Sequence, residues 1–251
     1  MKFAVDVGNS STKLARIEGK RVVKSWIVDT APQLSVSELW QSWLEVSGGE
    51  LTAAGELLVA SVVPELDDKI KKMTQRELNF SAWFLSFPWQ SAPVNVAVKN
   101  PESVGADRIA CASAFYRNYG AGIVVDFGTA TTAEVVDAKG NYQGGVIMPG
   151  INATLAGLSE VASKLPLLRP ERPVELVCGD TSEAMQSGIF YGMAGAVERV
   201  ISELKLKFSI SDDCMIVATG GQAVQFLTLC PSLKKVSQDL VLRGLVICGG
   251  E

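Results

Sequence analysis

Two stretches of this chain nearly repeat one another: Phe3-Ala4-Val5-Asp6-Val7-Gly8-Asn9-Ser10-Ser11-Thr12, and, 120 positions later, Ile123-Val124-Val125-Asp126-Phe127-Gly128-Thr129-Ala130-Thr131-Thr132. Each is an apolar run, then Asp-x-Gly, then small hydroxyl or amide residues. Each is followed by a second apolar stretch, through Ile17 in the first and through Val135 and Val136 in the second. The pattern predicts a β-hairpin around a glycine-containing turn. A single such turn is commonplace. Two matched copies at about half the chain length predict a duplicated fold with two similar domains, residues 1–117 and 118–251. The boundary is expected near Tyr119-Gly120-Ala121-Gly122.

The rest of the chain alternates strand and helix patterns. Leu57–Val63 predicts a buried strand ended by Pro64, and Leu66–Leu78 has apolar positions at helical spacing. Asp107–Tyr119 and Ser182–Leu206 predict helices, the second carrying Gly188, Gly192 and Gly195 as points of close packing. Met215–Thr219 predicts a strand, Gly220-Gly221 a tight turn, and Gln222–Leu229 a helix. Gly144-Gly145 and Pro149-Gly150 are expected to be turns. The five tryptophans, all within 26–89, are expected in packing roles.

Composition narrows the chemistry. The 251 residues are 47% hydrophobic and 20% charged, with a net charge of −4. These are values of an ordinary globular protein. No long basic run marks a nucleic-acid partner. There is no histidine. That excludes Ser-His-Asp and Cys-His catalysis and histidine-ligated metals, and leaves carboxylate, Lys, Tyr or Cys as proton acceptor. Five cysteines without a C-x-x-C pair predict reduced thiols rather than a disulfide framework or zinc site. Asp6 and Gly8 interrupt the N-terminal apolar run, so no signal peptide is expected, and no run of about 18 apolar residues predicts a membrane span. A cytoplasmic location is the default expectation.

Phosphate chemistry fits the two turns. Glycine lets backbone amides approach an anion closely. Gly8, Asn9, Ser10, Gly128, Thr129 and Thr131 are the candidate phosphate contacts. Asp6 and Asp126 would repel phosphate directly and are expected to act through bound cations. Lys13, on the strand after the first turn, is a candidate phosphate partner. Gly220 and Gly221 are placed to let backbone approach the nucleoside. Asp126-Phe127-Gly128 is a chance match to the protein-kinase magnesium motif, since no His-Arg-Asp loop exists here. Asp107 falls at a helix start. It is either a helix-terminal carboxylate or the acceptor of a substrate hydroxyl proton, with Arg108 available to grip a carboxylate.

Taken together, Asp6-Val7-Gly8-Asn9-Ser10, Gly105-Ala106-Asp107-Arg108, Asp126–Thr132, Gly144-Gly145, Pro149-Gly150, Gly179-Asp180-Thr181, Thr219-Gly220-Gly221 and Leu242–Leu245 resemble, in order, the motifs of type III pantothenate kinases. The resemblance implies an α/β protein of two duplicated ribonuclease H-like (actin-like ATPase) domains, with mixed sheets flanked by helices. It implies phosphorylation of pantothenate by ATP, with Mg²⁺ at Asp6 and a monovalent cation, K⁺ or NH₄⁺, at Asp126. Asp107 would be the general base. Gly105, Arg108 and the position of Val98 would contact pantothenate, and Thr181 would reach the partner subunit's site in a homodimer. The chain departs from the family where a tyrosine often stands two residues before the Asn100-Pro101 pair, here Val98, and where the acidic residue after the threonine run is commonly Asp, here Glu134. Other kinases of the superfamily, a non-catalytic nucleotide-binding regulator and an actin-like filament protein are the competing readings.

Overall fold

The computed structural model describes residues 1–250. The chain divides into two units.

Unit 1 comprises Met1–Asn118, Gly140–Tyr142 and the C-terminal segment from Asp239. Its sheet is built from β1 (Lys2–Val7), β2 (Ser11–Glu18), β3 (Arg21–Asp29), β4 (Glu56–Ser61) and β5 (Trp83–Phe84), in the order β3-β2-β1-β4-β5. β1 pairs antiparallel with β2 and parallel with β4, so the sheet is mixed. Strand alternation sorts the side chains onto two faces. Phe3, Val5, Val7 and Leu14 join Leu57 and Val59 in a core with α1 (Val36–Val46) and α2 (Pro64–Met73). α1 starts on a capping box, Ser35 with Glu38, and buries Trp40 and Trp43. Pro64 opens α2 at its first turn rather than merely ending the strand. The helix expected to reach Leu78 is α-helical only to Met73; a single π turn, Thr74–Leu78, follows and stops at Asn79 with φ 57°. A short strand β6 (Asn95–Val96) leads to a 3₁₀ turn, Pro101–Ser103, and then α3 (Ala106–Tyr119).

Unit 2 comprises Tyr119–Lys139 and Gln143–Gln238. It holds β7 (Gly122–Phe127), β8 (Ala130–Val136) and most of β9 (Asn141–Pro149). α4 (Ile151–Val161), α5 (Thr181–Phe208), β10 (Met215–Thr219), α6 (Ala223–Phe226) and β11 (Lys235–Val236) follow. β7 is antiparallel to β8 and parallel to β10, the arrangement of β1 with β2 and β4 repeated. The core stacks Phe226 on Phe127 at 4.3 Å between ring centroids, and Phe190 on Phe226 at 5.6 Å. The helix expected over Gln222–Leu229 is only the four residues of α6; Phe226 is the residue that ties it to the sheet.

Two glycine pairs differ from expectation. Gly144 and Gly145 lie inside β9 rather than in a turn. Gly144 has φ 84°, and a Cβ on Gly145 would collide with the Ala133 carbonyl of β8. Glycine here marks close approach of backbones. Gly150 is the N-cap of α4.

The last helix, α7 (Leu240–Cys248), belongs to unit 1 and not to the C-terminal half in which its sequence position puts it. It packs on β1, β3 and β4. Gly244 lies against the Ala110 carbonyl of α3, and Gly249 against the Leu58 side chain. Among the described residues no helix is long and apolar enough to cross a membrane.

Candidate functional site

In unit 1 the first Asp-x-Gly turn joins β1 to β2. Gly8 N–H donates to the Ser11 carbonyl at 3.1 Å, leaving Asn9 and Ser10 exposed at the tip. Thr30, just past β3, braces this turn. Its hydroxyl donates to the Gly8 carbonyl at 2.7 Å and lies 2.9 Å from the Thr12 hydroxyl, and its N–H donates to Ser10. No motif pointed to Thr30; the signal is tertiary, a residue 22 positions from Gly8 brought back by the pairing of β2 with β3. Asp6 faces Lys13 across the β1–β2 pair, on the side opposite the core. The Lys13 ammonium is held by the Asp239 carboxylate at the start of α7. Lys13, expected at phosphate, is thus already ion-paired.

Asp107 sits in the first turn of α3, and its Oδ1 accepts the Arg108 N–H at 2.8 Å. Gly105 explains itself here. A Cβ at 105 would overlap the Asp107 carboxylate and come 3.2 Å from Val62 Cγ1. The glycine gives the carboxylate its place. Arg108 lies with its guanidinium carbon 6.0 Å from the centroid of the Tyr142 ring. Val98 is half-buried on the segment between β6 and the 3₁₀ turn. Trp89 Nε1 donates to the Pro101 carbonyl at 2.9 Å and so fixes that turn.

In unit 2 the second Asp-x-Gly turn is one residue shorter. Gly128 N–H donates to the Ala130 carbonyl at 3.1 Å, and only Gly128 and Thr129 stand outside the strands, against Gly8–Ser10 in unit 1. The partner of Asp126 is therefore Thr132, whereas the partner of Asp6 is Lys13, one position further along its repeat. Since strand side chains alternate, that one-residue offset changes which residues share a face. Thr131, expected at phosphate, pairs with Phe127 and is buried, with 1% exposure. Thr132 instead shares the face of Asp126, with buried Glu134 two positions on.

Around this turn glycines converge. Gly220, φ 92°, follows β10, and a Cβ there would collide with the Asp126 carboxylate and lie 2.6 Å from the Phe127 carbonyl. Gln222 N–H donates to that same carbonyl at 3.2 Å. Gly150 lies against the carbonyls of Gly128 and Thr129. Gly221 is exposed with open space around it. The groups beside the missing Cβ of Gly220 are oxygens, one from the Asp126 carboxylate and one from the Phe127 main chain. Hard cations bind oxygens, and soft metals do not. Among the described residues no three His, Cys, Asp or Glu side chains cluster for metal binding. A Mg²⁺ ion at Asp6 would therefore take its other ligands from substrate phosphates and water, its usual habit.

Thr181 is exposed at the first turn of α5. Asp180 caps that helix, accepting from Ser182 N–H at 2.7 Å and Glu183 N–H at 3.1 Å. Thr181, Ala184, Gly188, Gly192, Gly195 and Ala196 form an exposed stripe of small residues along α5. The glycines, expected to permit close packing, meet nothing within the chain. Beside them Met148, Pro149, Leu158, Met185, Ile189 and Met193 line an open apolar groove.

Similarity to known proteins agrees with these motifs. The family model described as type III pantothenate kinase matches residues 2–203. A type III pantothenate kinase from Myxococcus xanthus is 35% identical over 254 residues, spanning 100% of this chain and 98% of that protein. One from Paramagnetospirillum magneticum is 36% identical over 250 residues, spanning 98% and 95%. Two solved structures share the fold alone. A Baf family transcriptional activator from Campylobacter jejuni has a TM-score of 0.64 at 17% identity, covering 98% of this chain and 96% of that one. A ROK family glucokinase from Streptomyces griseus, in complex with glucose and AMPPNP, has 0.53 at 12%, covering 97% of each. With two mixed sheets of repeated topology flanked by helices, and with a family match spanning most of its length, this chain is a kinase and belongs to the type III pantothenate kinase family.

Proposed function

We propose that the chain transfers the γ-phosphoryl group of ATP to the primary hydroxyl of pantothenate, as the names of its relatives suggest. What carries this reading is one short segment, Gly105–Arg108. It carries a carboxylate and an arginine at consecutive positions of a helix start, with a glycine making room for the carboxylate.

Phosphoryl transfer needs alignment and charge stabilisation more than covalent chemistry. Arg108 binds the pantothenate carboxylate through its in-plane N–H groups. Asp107 Oδ accepts the hydroxyl proton as the new P–O bond forms, late in a loose transition state. Gly8, Asn9 and Ser10 in unit 1, and Gly128, Thr129 and Thr132 in unit 2, offer amides and hydroxyls to phosphate oxygens. Gly220 and Gly221 leave backbone open toward the nucleoside. Asp6 would hold Mg²⁺, and Asp126 with the Phe127 carbonyl would hold K⁺ or NH₄⁺. Such cations supply positive charge against the phosphates. The exposed stripe on α5 and the apolar groove beside it support a homodimer, with Thr181 on that stripe completing the partner's acceptor site.

The test is pantothenate-dependent ADP release, with and without K⁺ or NH₄⁺, against a panel of sugars and acetate. Turnover restricted to pantothenate and raised by the monovalent cation is expected. Turnover only with a sugar or acetate would overturn the assignment.

A further inference from the structure

We infer that Thr30 is a positioning residue for the phosphates of ATP, acting through the main chain of the first Asp-x-Gly turn. The inference rests on the reading that places phosphate at Gly8, Asn9 and Ser10.

Thr30 follows β3 and meets the turn through both its side chain and its main chain. Its hydroxyl donates to the Gly8 carbonyl at 2.7 Å, and its N–H donates to the Ser10 carbonyl at 3.1 Å. The direction of a third contact follows from these. A threonine hydroxyl has one hydrogen, and here the Gly8 carbonyl takes it. Across the 2.9 Å between the two hydroxyls, Thr12 is therefore the donor and Thr30 the acceptor. Thr12 lies on β2 and is buried, with 1% exposure. The result is a relay, from the Thr12 hydroxyl to the Thr30 hydroxyl to the Gly8 carbonyl. Hydrogen bonds in such a chain polarise and strengthen one another.

The consequence falls on the amides of the turn. A carbonyl oxygen carries negative partial charge and repels phosphate, and Thr30 draws two of the turn's carbonyls to itself. A peptide unit is planar and trans, so its N–H points opposite to its C=O. With the Gly8 carbonyl turned to Thr30, the N–H of exposed Asn9 points the other way. An amide fixed in this sense beforehand can receive an anion without reorganising. Unit 2 reaches the same end by different means. There the carbonyls of Gly128 and Thr129 lie against buried Gly150, where a Cβ would come within 2.6 Å of both. Thr30 itself touches no phosphate in this scheme. It should set KM for ATP and leave KM for pantothenate nearly unchanged.

Substitutions that keep the shape separate this role from packing. Thr30→Val removes the hydroxyl and should raise the KM for ATP about five- to thirtyfold, with the KM for pantothenate within about twofold. Thr30→Ser keeps the hydroxyl and should hold the KM for ATP within about threefold of the parent. Thr12→Val cuts the relay one step back and should raise the KM for ATP about two- to fivefold; it carries the test where Thr30→Val does not fold. In the double variant, Thr12→Val should add nothing to Thr30→Val, because the relay is already broken. An unchanged KM for ATP in Thr30→Val, an equal rise for both substrates, or full additivity in the double variant overturns the inference. Asn9→Asp places a negative charge at the tip and should raise the KM for ATP independently of Thr30. No change in that variant would strike the phosphate reading of the turn, and the inference with it. Failure of the unsubstituted protein to turn over pantothenate would instead strike the functional assignment.

Discussion

Lys13 and Asp239, 226 positions apart in sequence, form an ion pair that fastens the start of α7 to the strand after the first Asp-x-Gly turn. Asp239 occupies the helix N-cap with φ 63° and makes no cap hydrogen bond with its side chain. Its carboxylate serves Lys13 instead. A non-glycine residue in the left-handed region costs about 1 kcal/mol. A partly exposed ion pair returns about 0.2–1 kcal/mol. The two nearly cancel, so Asp239→Gly should change the unfolding free energy by less than about 1 kcal/mol. Asp239→Ala keeps the strain and loses the pair, and should cost about 0.2–1 kcal/mol. Urea midpoints of the two variants decide this; equal losses would show that the backbone conformation carries no penalty.

Gly105→Ala should act on catalysis rather than folding. The new Cβ overlaps the Asp107 carboxylate, and a flexible side chain is what must give way. Displacing a proton acceptor by about 1 Å costs about 10²-fold in rate. Asp107→Asn should cost about 10²–10⁴-fold while ATP still binds. Steady-state kcat with calorimetric ATP binding checks both, and a kcat near wild type in Asp107→Asn would remove the base assignment.

Gly220→Ala tests the cation site proposed at Asp126. The φ of 92° alone strains alanine, and its Cβ would enter the space shared by the Asp126 carboxylate and Phe127 carbonyl. The half-saturating K⁺ concentration is expected to rise at least about tenfold, with ATP turnover at saturating K⁺ reduced. An unaltered K⁺ titration curve would disconnect these oxygens from the cation.

Cysteine reactivity should follow burial. Burial pushes the Cys230 thiol up to about 12, with Glu198 adding to the shift, and burial also raises Cys214 and Cys248. Half-buried Cys178 lies on a chain segment outside helix and strand. Alkylation at pH 8 should label Cys178 first and leave Cys230 untouched until the protein unfolds. The raised Cys230 value also has a sign for stability. Between the ordinary thiol value near 9 and about 12 the unfolded chain has released a proton that the native chain retains. Stability therefore falls with rising pH across that window, and Cys230→Ala should flatten the fall. Rapid labelling of Cys230 in the native protein would contradict its burial.

Gly192→Arg should disrupt self-association if α5 carries the dimer. Gly192 is exposed and nothing in the chain lies near its missing Cβ, so a monomer tolerates the change. Sedimentation should show a monomer of normal thermal stability with much-reduced pantothenate turnover, because Thr181 lies on the same stripe. A variant that sediments as the parent would move the interface elsewhere.

Much of this was legible in the residues. The two Asp-x-Gly hairpins, the strand Met215–Thr219 and the helix beginning before Arg108 formed where periodicity and turn chemistry put them, because those signals are local. What was hidden is tertiary. Thr30 braces a turn 22 residues away, and nothing in its own neighbourhood announces that. α7 returns to unit 1 because its small residues, Gly244 and Gly249, fit against Ala110 and Leu58, a match no linear pattern displays. Tyr142 meets the Arg108 guanidinium from another element. The ion partner of Lys13 lies at the far end of the chain, where no local pattern shows it. Gly144-Gly145 looked like a turn because glycine pairs usually are, yet here they admit a neighbouring strand's backbone.

The shortened loop at Gly128-Thr129 has an evolutionary and an engineering consequence. Overlaying the two halves letter by letter matches Lys13 with Ala133 and Ser11 with Thr131, but the strand registers equate Lys13 with Thr132 and Thr12 with Thr131. A lineage that doubled an ancestral module and then gained or dropped one letter at the bend would leave this frame slip. Chimeras that graft one bend onto the other half must carry the slip with them, or every side chain downstream will turn inside out.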